Sequence, residues 1–299
     1  MSAVAALNKI LQNAAAELKN AGIETAGLDA AVLLCDVLKT DRAWLITHAD
    51  QTLPEENIQL YKKHIRRRIT RECVAYITGH KEFRGLDLTV THDVLVPRAD
   101  TETLVEAALN IIDITNKTAA GKKTISVLDL CTGSGAVAIA LKTERPFIEV
   151  CASDISGAAL SVTKQNAAKY NLLNENNKTA DGASLRITQS DLFSNLNDKF
   201  DVIVSNPPYI PSALLASLAP EVQNEPRLAL DGGSDGLGVI RRIIADAGHH
   251  LNSGGALLLE ADSRQVEAVK ALLEKSFYTN INILKDLAGL DRVITACVE

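Results

Sequence analysis

The residues best suited to chemistry in this 299-residue chain are Ser205-Asn206-Pro207-Pro208-Tyr209, which follow the apolar run Asp201-Val202-Ile203-Val204. Two consecutive prolines fix the backbone and remove two N–H donors, so the segment offers carbonyl oxygens as acceptors. Asn206 adds a side-chain carbonyl and Tyr209 a flat ring. Two acceptors and an aromatic face suit a planar –NH2 group, because the acceptors take its two hydrogens while the ring stacks on its plane. Asn206, Pro207 and Tyr209 are therefore the catalytic candidates, and Asn206, Pro207, Pro208 and Tyr209 the substrate-binding ones. An amide nitrogen is a poor nucleophile, since its lone pair is delocalised into the carbonyl. Holding both N–H bonds in line with an electrophilic methyl promotes attack through positioning and electrostatics. The proton leaves once the nitrogen is positive, so no strong general base is obligatory. A rigid Pro-Pro stop in a loop is the bland reading of the same residues.

A second signal is Asp129-Leu130-Cys131-Thr132-Gly133-Ser134-Gly135, a tight turn between strand and helix. Glycines there let a ligand approach the backbone, and the helix start offers free N–H groups. Gly133 to Ala138 also fits the G-x-G-x-x-G/A dinucleotide fingerprint, so by itself this turn suits either NAD or S-adenosylmethionine. Asp154 ends the next strand about 20 residues later, where an acid grips ribose hydroxyls. Both cofactors carry that diol, and a lone Asp at a strand end is commonly only a helix cap. Asp191-Leu192, after the third strand, sits where a carboxylate and an apolar side chain would flank an adenine. Hydride transfer needs nothing like Asn206 to Tyr209 at the fourth strand, and the combination favours S-adenosylmethionine.

The elements that must carry these residues follow from hydrophobic periodicity. Leu7, Ile10, Leu11, Ala14 and Leu18 share a helix face, and Asp29 is expected to cap a run from Ala30 to Leu38. Thr52-Leu53-Pro54-Glu55 reads as a capping box opening a helix with Ile58, Tyr61, Ile65 and Ile69 on one side. Arg66, Arg67, Arg68 and Arg71 lie around the other side, as a solvated face or a contact for an acidic partner or rRNA. Residues 1–75 thus form a small helical domain, and residues 76–97 a hairpin linker turning at Gly85. Residues 98–299 form the larger domain, starting with a helix capped by Asp100. A loop is expected over residues 116–124 and a polar insertion over residues 174–183. From Ser126 onward apolar strands alternate with helices, which implies an α/β fold with a mostly parallel sheet.

Composition sets the outer limits. A 46% hydrophobic content is ordinary for an enzyme with a real core, and the net charge of −6 argues against a life on the phosphate backbone. The cysteines show no metal-ligand spacing, so no metal and reduced thiols are expected. No apolar run approaches the roughly 20 residues needed to cross a bilayer. A cytoplasmic protein with no membrane partner is the expectation.

With these motifs in hand, the chain resembles class I methyltransferases, specifically the HemK/PrmC family of protein-(glutamine-N5) methyltransferases. The resemblance runs over nearly the whole chain. Its marks are Tyr76-Ile77-Thr78-Gly79 with Glu82-Phe83, then Val96 to Glu102, the glycine turn, Ser205 to Ile210, Glu225-Pro226, Leu230 to Gly233 and Asp291-Arg292-Val293. Asn-Pro-Pro-Tyr alone is shared with adenine-N6 methyltransferases of DNA and RNA; Pro97 to Glu102 and the N-terminal helices are the more specific part. The resemblance implies a seven-stranded sheet with helices on both faces. It implies methylation of the GGQ glutamine of class 1 peptide chain release factors, with S-adenosyl-L-methionine as donor and S-adenosyl-L-homocysteine as product. Adenine-N6 methylation is the alternative, and no direct nucleic-acid substrate is expected. A non-catalytic cofactor-binding module is a third possibility. By resemblance Cys131, Thr132, Gly133, Ser134 and Gly135 line the methionine and ribose end. Asp129 heads that turn, Asp154 meets the ribose, Asp191 and Leu192 meet the adenine, and Asn206 lies close to the donor. Arg98 would sit near the entrance, or in a surface ion pair. Arg84, Glu72-Cys73 and Asn224 depart from the family pattern, at positions that bear on docking rather than chemistry.

Overall fold

The computed structural model describes residues 6–118, 124–173 and 185–299. The expected polar insertion at 174–183, and residues 119–123 of the expected loop, lie outside the described residues. The chain divides into two compact units, residues 1–80 with 219–224, and residues 81–218 with 225–299.

The first unit is helical, with helices Leu7–Asn20, Ala26–Leu38, Arg42–Thr47, Glu55–Ile69 and Val74–Thr78. Leu7, Leu18, Leu33, Leu34 and Tyr61 form its core, and the Tyr61 hydroxyl donates to the Ala30 carbonyl at 2.9 Å. Two expected caps are overruled by tertiary partners. Asp29 lies inside its helix, which begins at Ala26, and its carboxylate accepts from Arg68 Nε at 2.7 Å. Pro54 rather than Thr52 occupies the cap position of the helix Glu55–Ile69, and Thr52 instead bridges to Ala6. Of the four arginines only Arg66 is on an exposed face; the other three meet acids of this chain. Arg67 binds Glu72, while Arg68 and Arg71 both reach Glu221 at 2.9 Å. Arg68 is buried, and a buried guanidinium is stable only when paired in this way.

A hairpin begins at the boundary, β1 (His80–Phe83) and β2 (Leu86–Thr89), turning on Gly85 at φ +76°. The 3₁₀ turn Ala99–Thr101 then precedes the helix Glu102–Thr118. Asp100 sits within that turn, facing Arg292 at 3.3 Å rather than capping the helix. The helix runs through residue 116, where a loop was expected. Seven strands follow: β3 (Ser126–Leu130), β4 (Glu149–Asp154), β5 (Leu185–Gln189), β6 (Phe200–Ser205), β7 (Leu251–Glu260), β8 (Thr279–Lys285) and β9 (Asp291–Cys297). Their order is β5-β4-β3-β6-β7-β9-β8, with β5 to β7 parallel and β9 antiparallel to both neighbours.

Every residue of β6 is buried, as a strand covered on both faces requires. One face packs on the helices Glu102–Thr118 and Ala136–Glu144, the other on Gly238–Ala247 and Val266–Lys275. This is the mostly parallel, class I methyltransferase-type sheet that the sequence led us to expect. Leu130 pairs with both Ser153 and Ser205, and Ser205 pairs with Leu259. The carboxyl ends of β4, β3, β6 and β7 are therefore level. The order reverses between β3 and β6, the switch point at which such sheets bind ligands.

Candidate active site

At the end of β3 the chain turns through residues 131–135 into the helix Ala136–Glu144. Asp129, 1% exposed, organises this turn: its carboxylate accepts from Thr132 Oγ1 at 2.6 Å and from the Ala138 N–H at 3.1 Å. Burial pushes its carboxyl up to about 7, against those two donors. Asp129 therefore shapes the turn from beneath. Cys131 has φ +59° and Leu192 φ +48°, conformations that cost a non-glycine residue energy and are retained where the surroundings dictate them. Gly133 has φ +57°, and a β-carbon there would meet nothing within 4 Å, so the turn's outer side is open. Its inner side is stitched to the helix Gly157–Lys169. Thr163 Oγ1 donates to the Gly133 carbonyl at 2.8 Å, and Asn166 Nδ2 to the Ser134 carbonyl at 2.9 Å.

Asp154 ends β4 beside this turn. One carboxylate oxygen accepts from the Gly133 N–H at 3.0 Å and the other from the Ser156 N–H at 2.9 Å. Each oxygen keeps a further lone pair. Burial raises its pKa and the backbone donors oppose the rise. Asp191 is bound by Arg242 through both oxygens at 2.9 Å, and Leu192 lies buried beside it.

These residues wall one cavity of about 350 Å³. Asp129, Cys131, Thr132, Gly133, Ser134, Asp154, Asp191, Leu192, Asn206 and Pro208 line it; Gly135, Pro207 and Tyr209 do not. Ser153 also lines it, and its hydroxyl is buried without a hydrogen-bond partner. An open glycine turn, a carboxylate with spare lone pairs at the next strand end and an unsatisfied hydroxyl between them fit a ribose-bearing cofactor. Among the described residues no cluster of His, Cys, Asp and Glu could hold a metal.

Asn206 follows β6 on the other side of the turn. Its Nδ2 donates to Thr101 Oγ1 at 3.1 Å, which leaves Oδ1 as an acceptor. The Tyr209 carbonyl is taken by Gln265 Nε2 at 3.0 Å, and the Ile210 carbonyl by the Gly232 N–H at 2.9 Å. Of the backbone acceptors in this segment, the carbonyls of Asn206, Pro207 and Pro208 take no such donor. The Tyr209 hydroxyl stands 3.5 Å from Glu260 Oε1. Arg98 lines the cavity and pairs with the buried Glu225, whose other oxygen accepts from the Val96 N–H at 3.1 Å. Arg98 is thus at the cavity wall, and its ion pair is with a buried carboxylate rather than a surface one.

Sequence reasoning missed Thr101, Thr163, Asn166 and Glu260. For Glu260 a signal existed, a lone carboxyl closing the apolar strand Ala256 to Leu259. Thr101 lay within the Val96 to Glu102 segment but carried no assigned role, and Thr163 and Asn166 are polar residues within a helix with nothing local to mark them.

The chain is similar to known proteins over nearly its whole length. Residues 9–79 match the family described as PrmC N-terminal domain, and residues 113–216 the methyltransferase small domain. The release factor glutamine methyltransferase of Geobacter sulfurreducens is 37% identical over 290 residues, covering 96% of this chain and 95% of that one. The protein of the same name from Burkholderia pseudomallei is 41% identical over 280 residues, covering 93% and 94%. Among solved structures, the hMettl16 catalytic domain, crystallised with an RNA hairpin, superposes with a TM-score of 0.54 at 14% identity over 81% of each chain. That likeness concerns the fold alone. No helix among the described residues is long and apolar enough to cross a membrane.

Proposed function

This chain belongs to the release factor glutamine methyltransferase family, S-adenosylmethionine-dependent enzymes, and we propose that it methylates N5 of the GGQ glutamine in class 1 peptide chain release factors. The observation that carries this reading is the orientation of Asn206. With Nδ2 committed to Thr101, its Oδ1 is an acceptor at the end of β6, next to proline carbonyls that have no competing backbone donor within the segment.

In this reading Asn206 Oδ1 and the Pro207 carbonyl accept the two N–H bonds of the substrate amide. Those bonds strengthen as the nitrogen becomes positive, which favours the transition state over the bound substrate. The Tyr209 ring supports the amide plane, and Pro208 completes the wall. Gly133 and Asp154 hold the ribose, Cys131 to Gly135 the methionine end, and Leu192 with Asp191 the adenine. When bound, S-adenosylmethionine supplies the electrophilic methyl. No residue need remove the proton beforehand, because it is acidic once the methyl has arrived.

The N-terminal helices, residues 1–75, serve in this proposal as the docking surface for the release factor. Residues 76–97 form the linker, and residues 98–299 are catalytic. A cytoplasmic site of action and a protein rather than nucleic-acid substrate follow from that partner. The test is transfer of labelled methyl from S-adenosylmethionine to a purified class 1 release factor and to the same factor with its GGQ glutamine replaced. Transfer to the first and none to the second is expected. Equal labelling of both, or labelling of DNA or RNA alone, would replace this reading.

A further inference from the structure

Glu260, the last residue of β7, is 1% exposed. Because Ser205 pairs with Leu259, Glu260 lies level with Asn206 on the neighbouring strand end. The Tyr209 hydroxyl stands 3.5 Å from its Oε1, and the Thr101 hydroxyl is near enough to favour its ionised form. From β9, Arg292 brings a positive charge, itself held by Asp286 at 3.0 Å and Asp100 at 3.3 Å. Its Oε2 has no hydrogen-bond partner. One buried carboxyl thus stands behind two members of the Asn206 to Tyr209 segment, without lining the cavity itself.

The Thr101 hydroxyl has a single hydrogen and two lone pairs. When that hydrogen goes to an ionised Glu260, Thr101 can only accept from Asn206. The amide must then turn its NH2 toward Thr101 and its carbonyl away. A protonated or amide side chain at position 260 can donate instead. Thr101 would then donate onward to Asn206 Oδ1 and the amide would flip. An NH2 would replace the acceptor that the substrate nitrogen needs, setting donor against donor.

We propose that Glu260 is a positioning residue: through Thr101 it fixes the Asn206 amide with its carbonyl toward the substrate, and through its other contact it steadies Tyr209. The inference rests on the reading of Asn206 as an acceptor for the substrate amide. Burial pushes the Glu260 carboxyl up to about 7, with Thr101, Arg292 and Tyr209 lowering it and Asp100 raising it. The ionised form that sets the relay is thus gained as pH rises through neutrality.

The experiment compares full-length wild type with Glu260→Gln, Thr101→Val, Thr101→Ser, Asn206→Ala and the Glu260→Gln/Thr101→Val double variant. Each is checked by circular dichroism and by calorimetric titration with S-adenosylmethionine. Then kcat and KM are measured on a class 1 release factor from pH 6 to 9. Glu260→Gln and Thr101→Val should lower kcat by roughly 10- to 100-fold, with cofactor affinity unchanged and KM moved far less. Thr101→Ser should recover most of the rate, and the double variant should be no worse than the poorer single one. The wild-type rate should rise through about pH 7, a limb that Glu260→Gln should lack. Rates within about twofold of wild type for both single variants, a Thr101→Ser as poor as Thr101→Val, or multiplicative losses in the double variant would overturn the relay. If Asn206→Ala were fully active, the reading of the site itself would fall. If Asn206→Ala were dead while Thr101→Val and Glu260→Gln stayed active, the relay alone would fall.

Discussion

Replacing Gly232 by alanine disturbs the Asn206 to Tyr209 segment from behind, without touching any residue assigned to the cofactor. Gly232 lies against this segment: its N–H donates to the Ile210 carbonyl at 2.9 Å, and Ile210 and Asp231 form a parallel bridge. A β-carbon there would stand 2.8 Å from both the Pro208 carbonyl oxygen and Tyr209 Cα, and 2.5 Å from the Gly236 carbonyl oxygen. All three are backbone atoms, so no side chain can swing aside. Restoring ordinary contact needs a retreat of about 0.6 Å by Pro208 and Tyr209, and about 0.9 Å by Gly236. Pro207 and Pro208 are stiff and pass the displacement on toward Asn206. A 1 Å misplacement costs on the order of 100-fold in rate, so Gly232→Ala should lower kcat by roughly 10- to 100-fold. Overpacking should cost about 1–3 kcal/mol of stability besides. Single-turnover transfer of labelled methyl at saturating release factor measures the first effect, and thermal unfolding the second. S-adenosylmethionine should bind as in wild type. A folded variant turning over within about threefold of wild type would refute the claim that this backbone's position governs the reaction.

Three further outcomes follow from other parts of the structure. Asp154→Asn should weaken S-adenosylmethionine binding by about 1.5–3 kcal/mol in calorimetry, the range for a hydrogen bond to a charged group; unchanged affinity would remove Asp154 from the ribose site. Arg68→Ala strands Asp29, and deprives Glu221 of a partner at 2.9 Å, so thermal unfolding should show a loss of about 3–5 kcal/mol; a loss under about 1 kcal/mol would mean the pair is effectively solvated. Asp129 has a folded pKa of about 7 against an ordinary 3.8, so the folded state holds its proton more tightly than the unfolded state between those values. Stability should therefore be favoured at the acid end of that window and be lost as pH rises toward 7, relative to Asp129→Asn, by at most about 1.4 kcal/mol per pH unit. Parallel pH curves for the two proteins would contradict a buried Asp129 of raised pKa.

Most of the five parallel strands were legible because each is a short apolar run followed at once by its chemistry, as with Val127 to Leu130 ahead of the glycine turn or Val202 to Val204 ahead of Asn206; β5 instead alternates Leu185-Arg186-Ile187-Thr188. The antiparallel pair β8 and β9 carried a weaker signal. The edge strand β8 alternates Asn280-Ile281-Asn282-Ile283, the period of a half-buried strand, but the run is short and buries none of its residues fully, so it lacks the dense apolar signal of the central strands. The helix caps failed for a different reason. Asp29 and Asp100 have the chemistry of caps, but each faces an arginine far along the chain, Asp29 in a buried pair and Asp100 in a half-exposed one. Arg68 looked solvated because its acids lie far away in sequence, Asp29 being 39 residues distant. The same applies to the site. Asp154 and Asn206 stand at strand ends in recognisable settings, whereas Glu260 closes its strand with no neighbouring motif and gains its place beside Asn206 only when register brings β6 and β7 level.

The most direct measurement is mass mapping of a class 1 release factor after incubation with this protein and S-adenosylmethionine. The account predicts one added methyl, on the side-chain amide of the GGQ glutamine, and none when Asn206→Ala replaces the wild-type protein. A methyl on any other residue, or undiminished methylation by Asn206→Ala, would contradict it.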